Sequence, residues 1–296
     1  MTSEKECSPY QAYTTEWTKE YIIRILSELT MHGANNKTEL RATELRGLLR
    51  YWWRTLQQDK IENHHALLQR ETMYFGGSKS KKIDISTASP IIFRLSEVKN
   101  EKEAELKIHI RKQNKLSASI EDPMDIYDTY IRYMFMLSGF GKQGRKGHGA
   151  LQIDQWKDVD HFLKELNCIF EKLKLDHYKP DTNTHGSDVV MIKKDIVKPT
   201  SHLTLQFVCL GPGYDDYNDA RTKAEKAYKI GKKIYGKLVQ GNRYSSPFHC
   251  TVRQFGEKYH PIVSAVFPDK YADDKKYNEA KQDLCRLLKN KNNDMI

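Results

Sequence analysis

The sequence predicts an α+β protein built as two tandem ferredoxin-like halves, each a β-α-β-β-α-β unit, the second lacking an evident final strand. Three observations lead there. Alternating and helical hydrophobic periods succeed one another in the same order in both halves of the 296 residues. A Ser-Pro pair opens the second strand each time, at Ser89-Pro90 and at Ser246-Pro247. Recurrence at matching places points to a duplicated unit.

In the first half, Tyr21, Ile23, Ile25 and Leu29 alternate with Arg24 and Glu28, the pattern of a half-buried strand. A loop with Gly33, Asn35 and Asn36 follows. From about Glu39 to Gln57, Leu45, Leu48, Leu49, Trp52 and Leu56 recur at helical spacing, and a second helical stretch covers 61–74. Ile91, Phe93 and Leu95 mark one strand; Leu106, Ile108 and Ile110 mark the next. Ile126, Tyr130, Ile131, Met134 and Leu137 give the apolar face of a helix over 125–137. A glycine loop leads from it to a short strand around Ala150 to Ile153.

Trp156 to Leu175 reads as an amphipathic connecting helix. Residues 176–200 are polar and irregular, with Pro180, Gly186 and Pro199, and read as a linker or mobile loop. In the second half Leu203, Leu205, Phe207 and Cys209 alternate inward, Gly211-Pro212-Gly213 breaks the strand, and a helix covers 218–239. Phe248, Cys250 and Val252 point inward from one strand, and Tyr259 to Phe267 forms another. Tyr277, Ala280, Leu284 and Leu288 mark the last helix. The expected units are therefore 1–175, a linker at 176–200, and 201–296.

Lys and Arg number 49 against 39 acids, a net charge of +10. That surplus favours a polyanionic partner, nucleic acid or an anionic membrane surface. No stretch approaches the ~20 apolar residues a bilayer requires, and the N-terminus lacks the pattern of a signal peptide. Nucleic acid is the better use of the charge. The five cysteines (Cys7, Cys168, Cys209, Cys250, Cys285) never stand in CxxC spacing. Reduced, mostly buried thiols in a cytoplasmic protein, with no zinc knuckle, are expected.

The helix from Glu39 carries the most informative pattern. Arg46, Arg50 and Arg54 stand at i, i+4 and i+8 beside its apolar face. Three guanidiniums in a row repel one another unless an anion lies across them, and a phosphate backbone suits their forks. Acids from elsewhere in the chain, or solvent, would serve as well. Trp52 and Trp53 read as core rather than as base-stacking platforms.

The second pattern is the loop Gly139 to Gly149, with five glycines, three cations and no acid. Gly139-x-Gly141-x-x-Gly144 fits the dinucleotide spacing, but a helix leads in and a strand leads out, the reverse of what that motif needs. A phosphate-binding Walker loop would put Lys-Ser or Lys-Thr after Gly144, where Arg145-Lys146 stands. What remains is a bare, positive backbone suited to tracking an extended strand, or a basic loop with no ligand. Third, Arg221 to Arg243 contains eight basic residues and a single acid, Glu225. Lys226, Lys229, Lys233 and Lys237 form one stripe there, which is either a polyanion surface or a solvated helix face.

Catalytic signals are few. His148 is placed to serve as a general acid, a phosphate contact or an idle surface group. His64-His65 cannot share a helix face, and His177 and His185 fall in the irregular stretch. No metal site or cofactor is expected.

With those residues in view, the chain resembles the RAMP superfamily of CRISPR-associated proteins. Leu40-Arg41-Ala42-Thr43-x-x-Arg46-Gly47-x-x-Arg50-x-Trp52-Trp53-Arg54 looks like the helix signature of the first RAMP subunit of type III-B (Cmr) effector complexes. The loop at Gly139 to Gly149 looks like the superfamily's glycine-rich loop, and the two Ser-Pro strands are similar to that subunit's two halves. Glu44 departs from the pattern, standing where a small hydroxyl residue is expected. The resemblance implies a non-catalytic subunit at one end of a filament of RAMP subunits. It would hold guide (CRISPR) RNA or single-stranded target RNA near the end distal to the guide's 5′ tag. Backbone subunits that cut target RNA carry an aspartate after the first strand; Met31 to Thr43 has only Glu39.

The expected RNA path is lined by Arg41, Arg46, Arg50 and Arg54 with Lys142, Arg145, Lys146 and His148, and extends to Lys229, Lys233 and Arg243. Two rivals remain at this level. One is a metal-independent endoribonuclease that processes guide RNA with His148 as acid; the other is a structural cap that touches only neighbouring subunits.

Overall fold

The computed structural model describes residues 15–29, 31, 39–57, 63–78, 87–96, 102–111, 123–179, 189–193, 200–238, 246–271 and 274–289. The fold is α+β, with two antiparallel sheets and six helices among the described residues. The first sheet holds β1 (Thr15–Ile25), β2 (Ile91–Leu95), β3 (Glu103–Arg111) and β4 (Leu151–Gln152), in the order β2-β3-β1-β4. Its strands alternate as the sequence requires: Tyr21, Ile23, Phe93, Leu106, Ile108 and Ile110 are buried, while Ile22 is 51% exposed. Onto the buried face pack α1 (Ala42–Thr55), α2 (His64–Phe75) and α3 (Pro123–Leu137), through Leu45, Leu49, Trp52, Phe75 and Met134. β1 differs from its expected span, starting earlier and ending at Ile25.

α4 (Val159–Lys172) is the expected connecting helix, and the Asp158 carboxylate caps it by accepting from the His161 N–H at 2.8 Å. The stretch expected to be a linker is not one where it is described. β5 (Tyr178–Lys179) and β6 (Val189–Lys193) join β7 (Thr204–Leu210), β8 (Phe248–Phe255) and β9 (Lys258–Phe267) in a sheet ordered β5-β6-β7-β9-β8. β6 thus fills the place beside β7, from upstream in the chain.

Lys193 explains why that segment reads as polar. Its ammonium meets Asp269 at 2.7 Å, and both side chains are 1% exposed. Thr200, Thr204 and Gln206 also donate to that carboxylate. Burial alone would raise the Asp269 pKa, but these hydrogen bonds, led by Lys193, hold it at about 2. Residues 180–188, His185 included, and 194–199 lie outside the described residues.

The second sheet is covered on both faces, which its sequence does not announce. A register shift between Leu205 and Phe207 splits β7. Leu205, Val208 and Leu210 enter the core shared with the first half. Phe207 and Cys209 face a second core with α5 (Tyr217–Leu238) and α6 (Lys275–Lys289), through Ala220, Ala224, Ala227 and Leu284. β8 behaves likewise. Phe248, Cys250 and Val252 enter the second core as expected, but His249, Thr251 and Arg253 are buried too, against the first half.

Arg253 is the centre of that junction. Its Nε donates to the Phe135 carbonyl at 2.8 Å, Nη2 donates to the carbonyls of Phe135 and Ser138, and Nη1 donates to the Thr251 hydroxyl at 2.7 Å. The cation therefore satisfies carbonyls at the C-terminal end of α3, where the helix dipole also favours positive charge. Burial pulls its pKa down to about 9, which leaves it protonated at neutral pH.

Segment 145–156 runs beside the same strand, with parallel bridges at Lys146–Cys250 and Trp156–Phe255. Between them the Gln152 amide accepts from the Gln254 N–H at 3.0 Å and donates to the Gln254 carbonyl at 3.1 Å. The outer edge of β8 is thereby closed by the first half.

Candidate nucleic-acid interface

α1 and the glycine loop meet. The Glu44 carboxylate accepts the Gly141 N–H, and the Arg145 guanidinium lies 5.6 Å from the centre of the Tyr51 ring. Tyr51 is itself anchored, its hydroxyl 2.7 Å from His249 Nε2 on β8, and burial pushes its pKa up to about 12. Trp52 and Trp53 are fully buried, as the core reading expects.

The arginine row is not three free charges. Arg54 Nη1 sits 2.6 Å from Glu71 Oε2, and Arg50 Nη1 sits 3.5 Å from Glu71 Oε1. Arg50 Nη2 also donates to the carbonyls of Phe75 (2.8 Å) and Gly76, at the end of α2. Burial lowers the Arg50 pKa, Glu71 opposes that, and the Arg54 and Arg46 charges add to it. So the anion across Arg50 and Arg54 comes from the chain itself. Glu71 is buried on α2, and helical periodicity alone could not have named it as their partner. Arg46 keeps a shielded Nε with no hydrogen-bond partner among the described residues, and Arg41 is half-exposed, 3.4 Å from Glu39.

The glycines of the loop also have a different use from the one expected. A Cβ on Gly139 would lie 1.9 Å from the Gly144 carbonyl oxygen, and one on Gly149 would lie 1.7 Å from that of Phe140. Their absence of side chains lets the loop fold on itself, closed by the Phe140 N–H to Gly149 carbonyl bond at 3.0 Å. It does not serve as an extended bare track. The loop then docks on the second half: Gly147 N–H donates to the Cys250 carbonyl at 2.9 Å, and Tyr217 OH donates to the Gly147 carbonyl. What it offers outward is Lys142, exposed at its tip, and Arg145 and Lys146, half-buried.

On α5, Lys146 lies 5.7 Å from the centre of the Tyr228 ring and Arg221 Nη1 is 3.2 Å from His148 Nε2. Burial, then the Arg221 charge, lowers the His148 pKa, so the imidazole is neutral at physiological pH. A neutral imidazole bound to a guanidinium is poorly suited to donate a proton as a general acid. Lys229 is 3.3 Å from Glu225 with its side chain 65% exposed, and Lys233 is exposed. Arg243 lies outside the described residues. Arg221, Tyr51 and Tyr228 were not singled out in the sequence; Arg221 was counted only within the basic run.

The structure therefore joins α1, the glycine loop and the start of α5 along one seam and leaves Lys229 and Lys233 farther along α5. Among the described residues no group of three or more His, Cys, Asp or Glu could hold a metal ion, and no helix is long and apolar enough to cross a membrane. Cys209 and Cys250 are buried, and Cys168 is exposed.

The family model described as the RAMP superfamily matches residues 22–238, most of the chain. The chain belongs to the RAMP superfamily. A search against curated proteins found no match. Among solved structures, this RAMP protein is similar to Cmr1 from Pyrococcus furiosus in its apo form, with a TM-score of 0.53 and 13% identity over 85% of this chain and 88% of that one. It is also similar to a chain of the type III-B Cmr-beta complex bound to cognate target RNA and AMPPnP in the presence of single-stranded DNA. There the TM-score is 0.60 and the identity 9%, over 91% of this chain and 98% of that one. A chain of the same kind of complex bound to cognate target RNA gives a TM-score of 0.58 and 10% identity over 91% and 99%. At such identities the likeness is one of fold.

Proposed function

We propose that this RAMP protein is a non-catalytic, single-stranded RNA-binding subunit of a cytoplasmic type III-B CRISPR effector complex. It contacts guide or target RNA at one end of the RAMP filament, with other RAMP subunits as its protein partners. The observation that carries the reading is the seam itself: α1, the glycine loop and α5, each bearing cations, meet where Glu44 binds Gly141, Arg145 covers Tyr51 and Arg221 holds His148. The similarity to chains of target-bound Cmr complexes favours the same partner. We also read both sheets as ferredoxin-like units, the second with β6 in place of a closing strand after α6.

Arg41, Arg46, Lys142, Arg145 and Lys146 form the phosphate-contacting set. His148 sits beside them as a neutral hydrogen-bonding group, and Arg50 and Arg54 brace α1 on α2 with their outer edges turned to the path. Lys229, Lys233 and Arg243 would extend it. The lowered His148 pKa favours this reading over guide-RNA cleavage with His148 as acid.

About five phosphate contacts give a log–log salt slope of about −3.5 for a single strand. The test is fluorescence anisotropy of the full chain with a labelled single-stranded RNA across a salt series. Replacing Arg46 and Lys142 together by alanine should reduce the slope by about 1.4 and weaken binding to all sequences alike. An unchanged slope would remove the seam from the site.

A further inference from the structure

Gly47 stands in the middle of α1, and no contact among the described residues explains it. It is exposed, its backbone is helical rather than left-handed, and a Cβ built there would meet nothing within 4 Å. Glycine is the poorest helix former after proline, so an exposed helix interior is where alanine would be favoured. The loop glycines Gly139, Gly144 and Gly149 differ, because a Cβ on any of them would collide with backbone within the fold. At Gly47 the space kept open is outside the molecule.

Its surroundings indicate what enters that space. Helical geometry puts Gly47 at the centre of the outward face, one turn after Thr43, which is also exposed. On one flank stand Arg46 and Arg50. On the other stand Glu44, tied to Gly141 at the base of the exposed Lys142, and Tyr51, covered by Arg145. Gly47 is thus the floor of a shallow trough whose two rims carry guanidinium and ammonium groups. A bare backbone floor supplies no apolar contact for a protein side chain. Between cationic rims it suits a chain whose charge runs along its backbone.

We infer that Gly47 is the point of closest approach between α1 and the RNA, where one ribose-phosphate unit lies against the helix backbone while neighbouring phosphates take the arginine and glycine-loop rims. This rests on the RNA-binding reading and adds a position to it: the residue sets the depth of the strand in the trough. A side chain there lifts the strand away from both rims at once.

The test exploits opposite signs. Gly47→Ala should raise the melting temperature of the full chain by about 2 °C, because it improves the helix. It should nevertheless weaken binding of a labelled mixed-sequence single-stranded RNA by about threefold, and Gly47→Leu, still a good helix former, by about tenfold or more. Both variants should also show a shallower salt slope, since the lifted strand loses rim contacts. RNA affinity and slope equal to those of the native chain in both variants would overturn the inference, and would leave the RNA-binding reading intact if the Arg46/Lys142 variant still weakens binding. Native RNA affinity with failed assembly onto neighbouring RAMP subunits would also overturn it, and would give the trough to a protein. A native chain with no salt-dependent RNA affinity would sink both.

Discussion

The buried cations of the second sheet and the cations along the α1–loop–α5 seam have opposite fates. Arg253 and Lys193 are shut away, the first against carbonyls of α3 and the second against Asp269. Arg46, Lys142, Lys229 and Lys233 face outward or sit at the rim. Between the two lies the Arg50–Arg54 pair, half-exposed and half-neutralised by Glu71. The surplus of +10 is therefore not one reservoir for a polyanion. Arg253 is buried against carbonyls of the first half, and only the cations that face outward are available to a polyanion.

The sharpest way to break that division is at Arg253. Its partners are backbone carbonyls and a hydroxyl, which stay in place when the side chain goes. Replacement by methionine fills the volume but leaves buried carbonyls at the end of α3 without donors, so a loss of about 3–5 kcal/mol is expected. Urea denaturation of Arg253→Met measures it. A loss below about 1 kcal/mol would mean the junction does not depend on this cation.

Glu71 tests the intermediate class. Glu71→Gln keeps the shape and removes the charge that binds Arg50 and Arg54, so stability should fall by about 2 kcal/mol. RNA binding should move the other way, with the salt slope steepening by about 0.7–1.4 as one or two freed guanidiniums reach the strand. If affinity and slope stay as they are, these two arginines are bracing groups alone and the RNA path ends at Arg46.

What the sequence made legible follows the same line. Strands with one buried face and helices with one apolar stripe were readable, because Tyr21 and Ile23, Leu106 to Ile110, and Leu45 to Trp52 obey a single period. The β6 hairpin was not, since Lys193 is a buried cation whose counter-ion lies far along the chain at Asp269. On β8 the alternation showed Phe248, Cys250 and Val252 as inward, but not that His249, Thr251 and Arg253 find hydrogen-bond partners in the first half. At the candidate site, periodicity placed the arginines on one helix face but could not show Glu71 behind them. Glycine density correctly marked a loop with special backbone needs, while the need itself, a close self-crossing, appears only in three dimensions.

The smallest expected effect lies on α5, where the sequence carried its densest positive run. Lys229 reaches Glu225 at 3.3 Å with its side chain 65% exposed, and Lys233 is exposed one turn further on. Such surface charges contribute little to folding, so the double change Lys229→Ala and Lys233→Ala should alter stability by less than about 0.5 kcal/mol. If these lysines only extend the RNA field at a distance, affinity should drop less than about threefold at low salt and converge on the native value at high salt. A drop beyond about tenfold, with the slope reduced by about 1.4, would make them phosphate contacts in their own right. The seam would then run the length of α5, and the boundary between structural and RNA-facing cations would move from the glycine loop into the second half.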